Sequence, residues 1–276
     1  MHFIKEIISS RANETVKMFS SLQNKKGREE NRLFIAEGVK LTDEAISCGL
    51  PVAYCIISEK RSSELIPKYR EALSNLKFCD TTVMTVTDSV FEKISTEKAP
   101  QGVISVIKYL DFFDNMDIIY KEDFFKQPYE KAVILSSVRD PSNLGAIVRS
   151  AAAFGVRRLI LSEDCADIYN PKTVRSAMGS LFRINISFCS DLVGFISRCR
   201  SFGRRVLSAE LNPEALRLGK GVLNQHDLVV IGNEGHGVSP EVSRVCDGAV
   251  YIPITSNAES LNASVAAAIL MWEQFN

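Results

Sequence analysis

The stretch "AVILSSVRDPSNLGAIVRSAAAFGV", residues 132–156, decides the fold. It joins an apolar run to a short polar turn and then to a segment rich in alanine. An apolar run that ends in Asp, Pro, Ser and Asn predicts a buried strand followed by the start of a helix. Asn143 is expected to cap that helix, and Gly145 to permit a close turn. Strand, turn and helix in this order form the repeating unit of a parallel α/β sheet.

The same stretch raises a question about Arg149, which stands alone among small residues. It follows Asn143 by about 1.7 turns, so it is expected near the N-terminal end of the helix. An arginine on the exposed face of an amphipathic helix would be ordinary. In open α/β sheets, however, ligands bind at the carboxyl ends of the strands, and an arginine near such an end can be functional. The segment alone leaves both interpretations open.

The rest of the chain from residue 131 repeats this alternation of apolar strand and helix. Helical segments such as "PKTVRSAMGS" and "DLVGFISRCR" separate the apolar runs. Strands that are apolar on both faces and alternate with helices predict a parallel sheet covered on both sides. The predicted strands are "KAVILSSV" (131–138), "RRLILS" (157–162), "FRINISF" (182–188), "RRVLSAEL" (204–211), "DLVVIGN" (227–233) and "AVYIPI" (249–254).

The first ~105 residues predict a smaller domain of the α/β or α+β class. Their strand candidates are "LFIAEG" (33–38), "VAYCIIS" (52–58) and "GVISVIKYL" (102–110). Residues 111–131 mix acidic and aromatic side chains, which fits either an interdomain connector or an ordinary amphipathic helix. A chain of 276 residues is long for one core. We therefore expect domains at 1–108 and 131–276, with a linker at 109–130.

The composition is that of an ordinary globular protein, with a formal net charge of zero. That charge gives no sign of a nucleic-acid or membrane partner, although it leaves room for a local basic patch. Seven cysteines without a CxxC pair and three scattered histidines predict reduced thiols and no metal site. No apolar run is long enough to span a membrane, and the first residues are too charged for a signal peptide. These features favour the cytoplasm.

Two further loops carry polar residues directly after strands. "IGNEGHGVS" (231–239) places Glu234 among three glycines, where backbone can approach a ligand closely. The spacing is not G-x-G-x-x-G, so it is a weak dinucleotide signal and could be a plain glycine-rich turn. "YIPITSNAESLNASVAAAI" (251–269) brings the polar cluster Ser260, Asn262 and Ser264 to the start of an alanine-rich helix. A buried core helix would explain the alanines but not this cluster.

Together the three loops resemble the motifs of the SpoU/TrmH family of SPOUT-class RNA ribose 2′-O-methyltransferases. The resemblance rests on "DPSNLGAIVRSAAAFG", "VVIGNEGHGVS" and "IPITSNAESLNASVAAAI" and spans about 131–276. "RLFIAEGVKLTDEAISCG" and "KAPQGVISVIK" are similar to the N-terminal RNA substrate-binding domain of many members, which has a ribosomal-protein-like fold. One departure is Ser256, where members usually have a glycine.

The resemblance implies a parallel α/β domain with a trefoil knot that binds S-adenosylmethionine, and no metal. It implies a homodimer through the C-terminal domains and RNA as the partner, with rRNA favoured over tRNA by the two-domain layout. By motif position, cofactor contacts are expected at Gly232, Ile252 and Leu261. The implied catalytic residues are Asn143, Arg149, Glu234, Ser260 and Asn262.

The resemblance implies one of two roles for Arg149: it takes the proton of the 2′-hydroxyl group, or it stabilises the charge that develops there. A guanidinium with a pKa above about 12 is a poor base. We therefore expect it to stabilise developing charge on the ribose oxygen and to hold the adjacent phosphate. Arginine outnumbers lysine twelve to three in residues 131–276, which suits phosphate contacts. "VRR" (156–158) and "RCRSFGRR" (198–205) are candidate contacts, although each could equally be a solvated face.

Other functions remain to be weighed. A catalytically silent RNA-binding or ribosome-assembly protein could keep the same fold. A hydrolase or dehydrogenase would need G-x-S-x-G or G-x-G-x-x-G, and the chain has neither.

The last helix, "SVAAAILMWEQF", begins with small residues and ends with large apolar ones. That order suits either a dimer contact or full burial within one subunit.

Overall fold

The computed structural model describes most of the chain as two compact units. The first unit consists of residues 1–110 and 167–182, and the second of 111–166 and 183–276. The expected partition into 1–108, 109–130 and 131–276 stays a prediction, and half of the expected linker lies outside the described residues. The described ranges are 2–74, 80–110, 114–115, 122–126, 129–256 and 259–275.

The first unit is built on a mixed sheet with strand order β1-β4-β3-β5-β2. Strand β5 is antiparallel to both β2 and β3, whereas β4 is parallel to β1 and β3. The strands predicted at 33–38, 52–58 and 102–110 are confirmed, and β4 was not predicted. The strands are β1 (His2–Phe3), β2 (Leu33–Glu37), β3 (Val52–Ser58), β4 (Thr82–Val86) and β5 (Val103–Lys108). The helices are α1 (Glu14–Ser21), α2 (Lys25–Asn31), α3 (Val39–Ser47), α4 (Ser62–Ser74) and α5 (Asp88–Ile94).

Residues 167–182, which contain helix α8 (Pro171–Ala177), belong to this first unit. Arg28 is 1% exposed, and its Nε donates to Asp167 Oδ2 at 3.1 Å. Its Nη1 donates to the carbonyl oxygens of Leu22 and Gln23. Burying an unpaired charge is costly, so Arg28 must keep these partners. Its bond to Asp167 therefore anchors residues 167–182 to the first unit.

The second unit is built on a parallel sheet, as the sequence predicted. Its strand order is β11-β13-β10-β12-β7-β8-β9-β6, and every described pair is parallel. Strands β7 and β12 are buried along their full length, which explains their continuous apolar sequences. The strands are β6 (Asp114–Asn115), β7 (Ala132–Leu135), β8 (Arg158–Ser162), β9 (Asn185–Cys189), β10 (Val206–Ala209), β11 (Leu216–Arg217), β12 (Leu228–Ile231) and β13 (Gly248–Tyr251).

The helices of the second unit follow its strands. Their bounds are α6 (Glu122–Phe125), α7 (Pro141–Ala153), α9 (Leu192–Ser201), α10 (Pro240–Arg244) and α11 (Ala263–Phe275). Across the described residues, no helix combines the length and the apolar character that crossing a bilayer requires.

Helix α7 begins earlier than the sequence predicted. Its N-cap is Asp140, whose side chain accepts from the Asn143 backbone N–H at 2.8 Å, so the expectation that Asn143 caps the helix is wrong. Pro141 explains the difference, because its fixed φ and missing N–H suit the first helical position. Gly145 is buried inside the helix rather than in a turn. Arg149 therefore lies about one turn further from the helix start than expected.

Three of the arginines proposed as phosphate contacts have partners within the second unit. Arg158 Nε lies 2.8 Å from Glu130 Oε2, and Arg205 pairs with Asp227. Arg204 is 1% exposed and donates to the carbonyl oxygens of His226 and Glu130. These three side chains already have protein partners, so they are not free to bind phosphate.

Candidate active site

A polar network lies where β7 and β12 end, and Glu234 is at its centre. Asn143 Nδ2 donates to Glu234 Oε1 at 3.0 Å. The backbone N–H of Asp140 donates to the same oxygen at 3.2 Å, and that of Arg139 donates to Oε2 at 3.3 Å. Glu234 therefore binds the N-terminal end of α7, where unpaired N–H groups favour a negative charge.

Asn262 extends this network to the last helix. Its Nδ2 donates to Asn143 Oδ1 at 3.0 Å, while its Oδ1 accepts from the backbone N–H of Ser264 at 2.9 Å. One side chain therefore caps α11 and fixes the orientation of the Asn143 amide. Three of the predicted site residues, far apart in the sequence, form one hydrogen-bonded chain from Asn262 through Asn143 to Glu234.

The network keeps Glu234 ionised. Partial burial raises the pKa of its carboxyl group. Hydrogen bonds from the Asn143 side chain and from backbone N–H groups lower the pKa, and together their effect is larger than that of burial. The net pKa is below the ordinary value for glutamate. At neutral pH Glu234 is thus a hydrogen-bond acceptor and not a proton donor.

The loop that carries Glu234 closes tightly on itself. Asn233 and Gly237 exchange two backbone hydrogen bonds of 2.9 Å. A Cβ atom at Gly232 would lie 2.2 Å from the Gly237 carbonyl carbon and 2.3 Å from the Val238 nitrogen. A glycine is therefore required at 232 because the chain's own backbone passes beside it.

A cavity of about 250 Å³ opens at the carboxyl ends of β10 and β13 and at the start of α11. Its polar lining includes Glu210, Glu259 and Ser260. The predicted cofactor residues Ile252 and Leu261 line it, and Gly232 does not. The large apolar side chains of its wall are Leu211, Tyr251, Ile252, Ile254, Leu261 and Leu270.

This lining fits S-adenosylmethionine. Aliphatic walls can enclose the adenine ring of this cofactor. Carboxylates can accept hydrogen bonds from the hydroxyl groups of its ribose or from the ammonium group of its methionine part. Ile252, Leu261 and Glu210 are the residues that would hold it. Within the described ranges, no group of histidine, cysteine and acidic side chains could hold a metal ion.

Arg149 is separate from the hydrogen-bonded chain. Its side chain is exposed and has no hydrogen bond or ion pair with any residue that the structure describes. Its neighbours Ala146 and Ser150 line an open groove together with Val265 and Trp272 of α11. Val265 is 47% exposed and Trp272 is 52% exposed, which is unusual for an apolar helix end.

Sequence reasoning missed Glu210 as a lining residue of the cavity. Glu210 directly follows β10, at the carboxyl end of a buried strand. An acidic residue in that position of a parallel sheet is the signal that could have identified it.

Comparison with known proteins identifies similar sequences over both units. Residues 130–272 match the model of the SpoU rRNA Methylase family, and residues 13–105 match that of the MRM3-like substrate binding domain. The chain is 28% identical over 266 residues to the 23S rRNA (guanosine(2553)-2′-O)-methyltransferase RlmP of Bacillus subtilis, covering 96% of this chain and 97% of that protein. It is 31% identical over 233 residues to a putative TrmH family tRNA/rRNA methyltransferase of Staphylococcus aureus, covering 84% and 91%.

Two solved structures with a bound cofactor are similar over nearly the whole chain. The AdoMet-bound rRNA methyltransferase from Sinorhizobium meliloti has a TM-score of 0.79 at 28% identity, covering 97% of this chain and 96% of that one. The SpoU methyltransferase AviRb from Streptomyces viridochromogenes, in complex with AdoMet, has a TM-score of 0.73 at 26% identity, covering 95% and 96%.

Proposed function

The chain belongs to the SpoU rRNA methylase family, and we propose that it methylates the 2′-hydroxyl of a ribose in ribosomal RNA, with S-adenosylmethionine as the donor. The observation that carries this proposal is the hydrogen-bonded network from Asn262 through Asn143 to Glu234. Asn262 directly follows Ser260 and Leu261, which line the cavity, so the network and the cavity are adjacent. Two relatives act on ribosomal RNA, namely RlmP of Bacillus subtilis and the 23S rRNA (uridine(2479)-2′-O)-methyltransferase of Streptomyces viridochromogenes, and they favour rRNA over tRNA.

The residues of the site have separate roles in the reaction. Bound S-adenosylmethionine supplies an electrophilic methyl group on a sulfonium sulfur. Glu234 and Asn262 hold the Asn143 amide in one orientation at the end of β7, next to the place where the ribose arrives. Arg149 stabilises negative charge on the 2′-oxygen of the RNA ribose, whose proton passes to solvent, and holds the neighbouring phosphate.

The expected N-terminal RNA-binding role, the trefoil knot and the cytoplasmic location are parts of the same proposal. The match of residues 13–105 to a substrate binding domain supports the first. The knot is supported by family membership, and the cytoplasm by the ribosomal substrates of the bacterial relatives.

A homodimer explains the surface beside Arg149. Val265 and Trp272 expose apolar area along α11, and the groove between α7 and α11 is mostly apolar. A second copy could cover this face with the same face of its own, because a two-fold interface is self-complementary. Arg149 lies on α7 beside this groove and outside the cavity of its own subunit. In the dimer it would reach the ribose bound at the partner's cavity.

Light scattering tests the dimer. The protein is expected at about twice its chain mass of 30.6 kDa, and Val265→Glu is expected to shift it to the monomer mass because a charge would enter the apolar interface. Val193→Glu is the matched control, since Val193 is 37% exposed on α9, away from the groove. A fully active monomer, or dissociation by both variants alike, would contradict the proposed interface.

Mapping of 2′-O-methyl groups tests the function. Cells that lack the gene are expected to lose one 2′-O-methylated nucleotide of 23S rRNA, and the purified protein is expected to restore it with S-adenosylmethionine. An unchanged methylation map in the deletion strain would favour the catalytically silent RNA-binding protein instead.

A further inference from the structure

Glu210 forms part of the cavity wall and is held there by three neighbours. Its Oε1 accepts from Ser208 Oγ at 3.0 Å, from Asn212 Nδ2 at 3.1 Å and from Ser243 Oγ at 2.6 Å. These donors lie on β10, on the loop that follows it and on α10. Because they come from three directions, they fix the rotamer of a side chain that would otherwise be mobile.

The other oxygen of Glu210 has no such partners. No hydrogen bond to Oε2, and no ion pair with Glu210, is found among the residues that the structure describes. All three donors on Oε1 are neutral, so the charge of the carboxylate is not cancelled. A half-buried carboxylate with one satisfied and one open oxygen is suited to a hydrogen-bond donor on a ligand.

The cavity limits which ligand group this can be. Its aliphatic wall, including Ile252 and Leu261, suits a flat apolar ring. The methyl-bearing end of the ligand would have to face Ser260, which is next to the hydrogen-bonded network of Asn262, Asn143 and Glu234. In an adenosine ligand the ribose connects these two ends and carries two hydroxyl donors, so it would lie beside the end of β10, which Glu210 follows.

On this basis, and resting on the proposed function, we propose that Glu210 Oε2 accepts a hydrogen bond from a ribose hydroxyl of the methyl donor. Glu210 thereby selects ligands that carry an intact ribose. This assigns it a binding role and no part in the transfer of the methyl group.

The first test replaces Glu210 with glutamine. The three donors on Oε1 would retain the amide oxygen in that place, so the amide NH₂ would take the position of Oε2. The fold is preserved, while the charged acceptor for the hydroxyl is replaced by a neutral NH₂ that can only donate to the hydroxyl oxygen, a weaker bond. We expect the affinity for S-adenosylhomocysteine, measured by calorimetry, to fall about tenfold or more. Glu214→Gln, an exposed glutamate of the same loop, is the matched control and should leave affinity unchanged.

The second test identifies the ligand group. 5′-Methylthioadenosine lacks the amino-acid part, and its 2′-deoxy and 3′-deoxy forms each lack one hydroxyl. In the wild type, at least one deoxy form is expected to bind about tenfold more weakly than the parent. In Glu210→Ala that difference should vanish, because the acceptor has gone. This double-mutant cycle reports the contact itself, whatever the effect of either change alone.

The outcomes separate this inference from the proposed function. If the wild type binds neither S-adenosylhomocysteine nor 5′-methylthioadenosine, both fail. If the wild type binds them but Glu210→Gln binds equally well, only the role of Glu210 fails. A loss for S-adenosylhomocysteine without any loss for 5′-methylthioadenosine would assign Glu210 to the ammonium group and overturn the ribose contact. Equal thermal melting of all variants confirms that folding is not the cause.

Discussion

Arg149→Ala is expected to lower the rate of methyl transfer by about 100-fold to 1000-fold, the range measured when one charge-stabilising group is removed from an active site. The side chain is exposed and makes no hydrogen bond or ion pair among the described residues. Its removal should therefore leave the free energy of unfolding unchanged. The affinity for S-adenosylhomocysteine should also persist, because Arg149 does not line the cavity.

Single-turnover kinetics and calorimetry measure the two effects separately. Arg244→Ala is the matched control, because Arg244 is an exposed arginine of the same unit on α10 and lies outside the segments proposed to contact RNA. Arg149→Lys should recover only part of the rate, since an ammonium lacks the forked donors of a guanidinium. The role is refuted if cofactor affinity falls in step with activity, or if Arg244→Ala is equally slow.

Gly232→Val is expected to abolish cofactor binding and methyl transfer together. Its Cβ would lie 2.2 Å from the Gly237 carbonyl carbon, and this contact is to backbone that cannot turn aside. The loop would have to open, and Glu234 would leave the N-terminal end of α7. The same loop directly follows β12, which pairs with β10, and Glu210 at the end of β10 lines the cavity, so opening the loop would disturb the cofactor site as well. Overpacking of this kind costs about 1–3 kcal/mol of stability or more.

Urea unfolding and calorimetry with S-adenosylhomocysteine test this result. Gly235→Ala, in the same loop, is the control, because its Cβ would meet only Asn233 Oδ1 at 3.6 Å, an ordinary contact. Cofactor affinity and stability equal to those of the wild type in Gly232→Val would show that the close backbone approach is not needed.

Much of the second unit could be predicted from the sequence. Buried parallel strands have continuous apolar runs, so β7, β10 and β12 were identified from local sequence alone. Asp140 was missed as a cap because Asn143 is an equally good capping residue by type. Pro141 decided between them, since its fixed φ starts the helix one residue after Asp140.

The contacts of the site were beyond local sequence. Asn143 and Glu234 are 91 residues apart and Asn262 lies 119 residues from Asn143, yet their amides and carboxylate hydrogen-bond. Arg28 and Asp167 pair over 139 residues. The sequence predicted which residue types end the strands, and the family resemblance selected among them. It could not tell that Glu210 has one oxygen held and one open.

What the sequence by itself determined is therefore the alternation of strands and helices and the polar residues placed where strands end. Periodicity and turn chemistry act over a few residues, and those can be read directly. Only the tertiary structure decided that β12 lies beside β7, which brings Glu234 to the start of α7. Strand order depends on how every apolar face is buried at once, and no short stretch of sequence contains that information.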